Sequence, residues 1–149
     1  MSLEKWEEYG WLRSEPSSPD EITDLLGIVT RALKDSKEEA ISEDLRFQAA
    51  FSAALTAANI ALRASGYRTR VQAGRHQKIV ESLELTLKAD SRLIQKLRVF
   101  SKKRNATSYD AAGSISEQEL ADVIKVAEQL HHDVKTWLKQ KHPDLLKRS

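Results

Sequence analysis

The chain of 149 residues has no cysteine, so a disulfide framework, a thiolate metal site and cysteine nucleophilic catalysis are all excluded. That absence fits a reducing, cytoplasmic setting. The five glycines are scattered singly, which excludes a P-loop and a dinucleotide fingerprint, since both gather glycines into one short turn. No serine stands in a Gly-x-Ser-x-Gly elbow. There is no run of about 18 apolar residues of the kind that spans a bilayer. The nearest, Ala49 to Leu62, is broken by Ser52, Thr56 and Asn59, so no membrane partner is expected. The opening Met1-Ser2-Leu3-Glu4-Lys5 lacks the charged-then-apolar layout of a secretory signal. Of the four histidines, His131 and His132 are adjacent, and on a helix neighbours point about 100 degrees apart and cannot face one ion together. There is no His-Glu-x-x-His and no EF-hand loop. Neither a metal nor another cofactor is expected.

What is present is charge and helical periodicity. The 24 basic and 22 acidic residues nearly cancel, leaving a formal net charge of +2, but they are unevenly spread. Residues 1 to 44 are rich in Glu and Asp, whereas 68 to 104 hold eleven Arg and Lys against Glu81, Glu84 and Asp90. A basic middle meets either phosphate or the chain's own acidic N-terminal third.

Leu3 to Arg13 carries Trp6, Tyr9 and Trp11 and reads as a short helix or arm, giving an N-terminal segment over 1–17 and a bundle over 18–149. Ser18 looks like an N-cap, with Pro19 in the first turn and Glu21 reaching back in a capping box. Ile22, Leu25, Leu26, Val29, Ala32 and Leu33 then make one apolar face ending near Ser36. Ser42, followed by Glu43 and Asp44, starts a second helix that runs to Gly66. Its stripe of Phe47, Phe51, Leu55, Ala58 and Leu62 is flanked by alanines, which marks it as the central helix. Tyr67 to Gly74 reads as a basic loop. Ile79, Val80, Leu83 and Leu87 mark a third helix, and Asp90 caps a fourth that ends at Lys102-Lys103-Arg104, with Asn105 as its C-cap. Gly113 breaks the chain, Ser116 and Glu119 form a capping box, and a long last helix runs from Leu120 through Trp137 and Leu138 until Pro143. No segment alternates as a strand does. The chain therefore reads as all-α, a single domain built as an up-and-down bundle of about five helices.

Two stretches can carry chemistry. Arg68, Arg70, Arg75, His76 and Lys78 surround Tyr67 and offer guanidinium forks for phosphate and a ring on which a base could stack. Lys102, Lys103 and Arg104 lead into Asn105, Tyr109 and Asp110. The bland alternatives are a solvated loop anchored by Tyr67, and cations that stabilise a helix C-terminus.

In this arrangement the chain resembles the HEPN superfamily of small prokaryotic helical proteins. The resemblance covers about Ser42 to Pro143. It rests on Asp44-Leu45-Arg46-Phe47 leading into the Ala-rich helix, Gly66-Tyr67-Arg68 closing it, Arg75-His76 opening the next, and Arg104-Asn105 with Tyr109-Asp110. It implies a homodimer whose arginine motifs face a shared cleft. It also implies an association with RNA or nucleotides, often in toxin–antitoxin systems, with an antitoxin or a nucleotidyltransferase as partner. Catalytic relatives are metal-independent RNases whose motif is an arginine, a polar residue and a histidine four to six positions on. Arg104 and Asn105 match its start, but Tyr109 stands in place of the histidine, and none occurs from residue 77 to 130. A general base for the ribose 2′-hydroxyl works best near its operating pH, which histidine at about 6.5 meets and tyrosine at about 10 does not.

The expectation is accordingly binding before cleavage, in a toxin–antitoxin or stress-defence context. Arg68, Arg75, His76, Lys102, Lys103, Arg104, Asn105 and Tyr109 are the candidate contacts, and Arg104, Asn105 and Tyr109 are the catalytic set if the protein is an enzyme. His76 could supply the base from the preceding loop, although a lone histidine outside the motif is more often structural. The alternatives are a non-catalytic module that partners a nucleotidyltransferase, and an active metal-independent endoribonuclease using Tyr109 or His76.

Overall fold

The computed structural model describes residues 1–70, 73–109 and 115–146, and of 106–109 the backbone alone. In chain order the elements are α1 (Leu3–Glu8), β1 (Leu12–Ser14), α2 (Pro19–Ser36), α3 (Glu43–Ala64), β2 (Tyr67–Thr69), α4 (Arg75–Thr86), α5 (Ser91–Tyr109) and α6 (Glu117–Lys141), with a short 3-10 turn at Pro143–Leu145. It is a single all-α domain, an up-and-down bundle with one small two-stranded ribbon. No described helix is long and apolar enough to cross a membrane.

The bundle is built around α3. Phe47, Phe51, Ile60 and Leu62 are buried on it, and so are Ala50, Ala53, Ala54, Ala57, Ala58 and Ala61. A helix that is apolar on most sides belongs inside, and its small residues let α2, α4, α5 and α6 all pack on it. Phe47 meets Phe100 of α5 edge to face, with ring centroids 6.0 Å apart. Each such ring, fully buried, contributes about 1.5–3 kcal/mol. Against α3 lies the stripe Leu120, Val123, Ala127, Leu130, Val134 and Leu138 of α6, spaced by threes and fours as one face requires.

Local signals set most helix starts. The Ser18, Ser42 and Ser116 hydroxyls accept from the backbone N–H groups of Glu21, Leu45 and Glu119, and Ser116–Glu119 closes a full capping box. Asp90 Oδ1 accepts from the Leu93 N–H at 3.0 Å. Gly66, at φ +92°, follows α3 in the left-handed conformation that a Cβ disfavours.

Three expectations are corrected. The Glu21 carboxylate does not close a capping box on the Ser18 backbone N–H; it accepts from Arg63 and Arg68, and from the Ser17 hydroxyl at 2.6 Å. Tyr67 to Thr69 is not loop but β2, antiparallel to β1 with Leu12 opposite Thr69, Arg13 opposite Arg68 and Ser14 opposite Tyr67. Three residues are too few for a period-two pattern to show. Finally, α5 does not stop at Arg104–Asn105 but continues to Tyr109, so Asn105 is a helical residue and not a C-cap. No glycine or proline intervenes, and asparagine within a helix costs only about 0.7 kcal/mol relative to alanine. The expected break at Gly113 lies outside the described residues.

Candidate functional site

The cleft between the start of α4 and the last turns of α5 gathers the chemistry. Because α5 is continuous, Ser101, Arg104 and Asn105 stand at i, i+3 and i+4 and share one face. Across from them α4 begins at Gly74, whose φ of +74° makes a sharp entry, and no side chain caps its first turn. Together Gly74, Arg75, His76, Gln77, Ser101, Arg104 and Asn105 line an open cleft of about 380 Å³.

Its centre is Arg104 beside His76, with Nη1 3.5 Å from Nδ1. A guanidinium only donates, so in the neutral imidazole this contact is favourable with the proton on Nε2 and Nδ1 as acceptor. Burial, and then the charges of Arg104 and Arg75, hold the His76 pKa below its ordinary 6.5. The Arg104 guanidinium also rests 5.8 Å from the centre of the Phe51 ring, an attraction that orients it without neutralising it. Arg75 is tethered through Nε to the Thr69 hydroxyl of β2 at 3.1 Å.

The charge of the first α4 turn is unusual. A helix N-terminus carries a partial positive charge and favours acidic residues, yet this turn has no acid and holds Arg75 and His76. Like-signed groups therefore converge from the helix dipole, Arg75 and Arg104 on one cleft. No described cluster of three or more His, Asp or Glu there or elsewhere could hold a metal ion. What such a cleft can do is receive an anion with N–H donors on several sides.

Comparison with known families, curated proteins and solved structures returns no match.

Of the residues singled out by sequence, Arg75, His76, Arg104 and Asn105 come together. Arg68 does not join them. Its guanidinium is bound to Glu15, and to Glu21 at 2.9 Å, in the acidic N-terminal segment. Lys103 pairs with Glu119 at 3.2 Å, and Lys102 and Lys103 border a separate hollow beside Phe47 and Phe100. Tyr109 ends α5, but its side chain and Asp110 lie outside the described residues.

Sequence reasoning named His76 as a candidate but not its direct contact with Arg104, which lies 28 residues further on. It also missed Arg63, which is 2 % exposed and holds Glu21 at 2.7 Å together with the carbonyls of Glu15 and Tyr67 at 2.8 and 3.0 Å. One signal was available: a charged residue in an otherwise apolar, Ala-rich helix requires a partner. This network ties α3 to β2, and β2 leads directly into the cleft. Another hollow, about 860 Å³ over Ile94, Val99 and Phe100, lies along the other side of α5, and no described histidine lines it.

Proposed function

We propose that the protein is an HEPN-like RNA- or nucleotide-binding bundle that holds a phosphate group between α4 and α5, in a toxin–antitoxin or stress-defence setting. The observation that carries the reading is the convergence of Arg104 and Arg75 with the uncapped, acid-free N-terminus of α4. Arg104 would grip two phosphate oxygens, Asn105 would donate to a base or ribose, and Arg75 would neutralise the remaining charge. Hydrogen bonds to a charged group contribute about 1.5–3 kcal/mol each, so Arg104→Ala should weaken binding about 10- to 100-fold. Fluorescence anisotropy with labelled RNA and with nucleotides measures this. Equal affinity of the two proteins, or no binding by either, would overturn the reading.

A second reading is favoured by one contact. His76 supplies beside Arg104 the imidazole that is missing at Tyr109, and its lowered pKa keeps it neutral, as a base must be, at pH 7. In an active endoribonuclease, Arg104 would turn from Nδ1 to the phosphate oxygens, Nδ1 would take the proton of a 2′-hydroxyl whose oxygen attacks the adjacent phosphorus, and the expelled 5′-oxygen would take a proton from water, leaving a 2′,3′-cyclic phosphate. Cleavage of RNA under chelation, lost in both His76→Ala and Arg104→Ala, supports this. Intact RNA in the wild type refutes it.

A further inference from the structure

The N-terminal arm places two aromatic rings next to this cleft. Trp6 is buried in the core, but Trp11 is only partly covered and Tyr9 is 51 % exposed. The Tyr9 and Trp11 rings lie 4.9 Å apart at 53°, and Trp11 meets Trp6 edge to face at 5.6 Å. Lys78 of α4 sets its ammonium 3.6 Å from the centre of the Trp11 ring. Residues three apart on a helix have Cβ atoms about 5–6 Å from each other, so Lys78 stands one turn from Arg75 at the cleft. The exposed Arg70 joins the same corner, its backbone N–H donating to the Trp11 carbonyl at 2.9 Å. A short path thus leads from Arg104 and His76 past Arg75 and Lys78, which also pairs with Glu81 at 3.5 Å, to Tyr9 and Trp11.

We propose that the Tyr9–Trp11 corner is a stacking platform for an unpaired nucleobase, and that the ligand of the cleft is single-stranded RNA. The inference rests on the phosphate-binding reading of the cleft and adds the strandedness of the ligand. Charge decides between the two kinds of ligand an aromatic corner receives. The face of Trp11 that would attract a cation already holds the Lys78 ammonium, which repels a second one. A neutral planar base on a phosphate backbone meets no such penalty: its ring would stack on the exposed Tyr9 while Arg70 and Arg75 meet the phosphates. A base inside a duplex is already stacked on its neighbours and has no free face to offer.

The test compares Tyr9→Ala, Tyr9→Trp and Arg104→Ala with the wild type, using fluorescein-labelled single-stranded RNA, the matching duplex and an abasic strand of equal length. Because Tyr9 is exposed, thermal melts of its variants should superimpose on the wild type. Tyr9→Ala should bind the single strand about 5- to 100-fold more weakly, the range measured for loss of one base–aromatic stack. Tyr9→Trp should restore binding, the abasic strand should not respond to Tyr9→Ala, and Arg104→Ala should weaken every ligand. If Arg104→Ala weakens binding while Tyr9→Ala leaves the single strand unchanged, the platform is wrong and the phosphate site stands. Duplex binding as tight as that of the single strand also overturns the platform. If Arg104→Ala changes nothing, both readings fail.

Discussion

Replacing Arg63 by alanine should destabilise the fold more than any other single loss of charge in the chain. The guanidinium is 2 % exposed and holds Glu21 at 2.7 and 3.2 Å, Glu15 at 3.3 Å, and two backbone carbonyls within 3.0 Å. Removing it leaves two carbonyls without their donor and leaves Glu21 and Glu15, 29 % and 36 % exposed, with Arg68 as their remaining partner in the network. A fully buried pair broken from one side costs about 3–5 kcal/mol, and this partly solvated one should cost about 2–3 kcal/mol. At about 2–4 °C per kcal/mol for a chain of this size, the melting temperature should fall by roughly 4–12 °C. The network also has a pH signature. The hydrogen bond from Arg63, followed by that from Ser17 and the charges of Arg63 and Arg68, outweighs burial and lowers Glu21 from 4.5 to about 2.

Because the folded value lies below the unfolded one, this stabilisation is complete above about pH 4.5 and is lost as pH falls towards 2. At full strength the shift amounts to about 3 kcal/mol, and solvent at the carboxylate reduces it to about 2 or less. Urea unfolding from pH 2 to 7, followed by circular dichroism, measures both quantities. The wild type should lose stability steeply between pH 4.5 and 2, and Arg63→Ala should be weaker at pH 7 with a shallower acid limb. A loss below about 1 kcal/mol at pH 7, or identical acid limbs, would refute the assignment of Arg63 and Glu21 as a coupled pair.

Three further outcomes test other parts of the structure. NMR titration of His76 should give a midpoint below 6.5, rising towards that value in Arg104→Ala as one of the charges that lower it is removed. Lys88 closes α4 in the left-handed conformation at φ +58°; Lys88→Gly should relieve that strain and raise stability by up to about 1 kcal/mol in denaturant unfolding. Asn105→Ala should stabilise the protein by about 0.5 kcal/mol, since Asn105 is inside α5. A loss of stability would instead restore the helix end once expected there.

The sequence by itself determined the helices, because their signals are local. A cap such as Ser116 meets its N–H three residues away, and the stripes of α3 and α6 need only a spacing of three and four. Even the centrality of α3 was legible, since an alanine-flanked helix can be approached from several sides. Tertiary structure decided what no local window holds. Glu21 had two possible uses, the return bond of a capping box or a guanidinium 42 residues away on α3. Both are charge-assisted, but Arg63 and Arg68 bring two full positive charges and three N–H donors to the carboxylate where the cap offers one, so the distant partners prevailed.

The same holds for the site. Arg104–Asn105 stood out in the sequence, but His76 acquired meaning only when α4 packed beside α5, and Arg68 lost its candidate role when β2 paired with β1 and brought it to Glu15 and Glu21. Helix formation is specified by neighbours within a turn. The meeting of a histidine and an arginine, or of an aromatic arm and a cationic cleft, depends on how faces of whole helices are buried, and that is settled by the core.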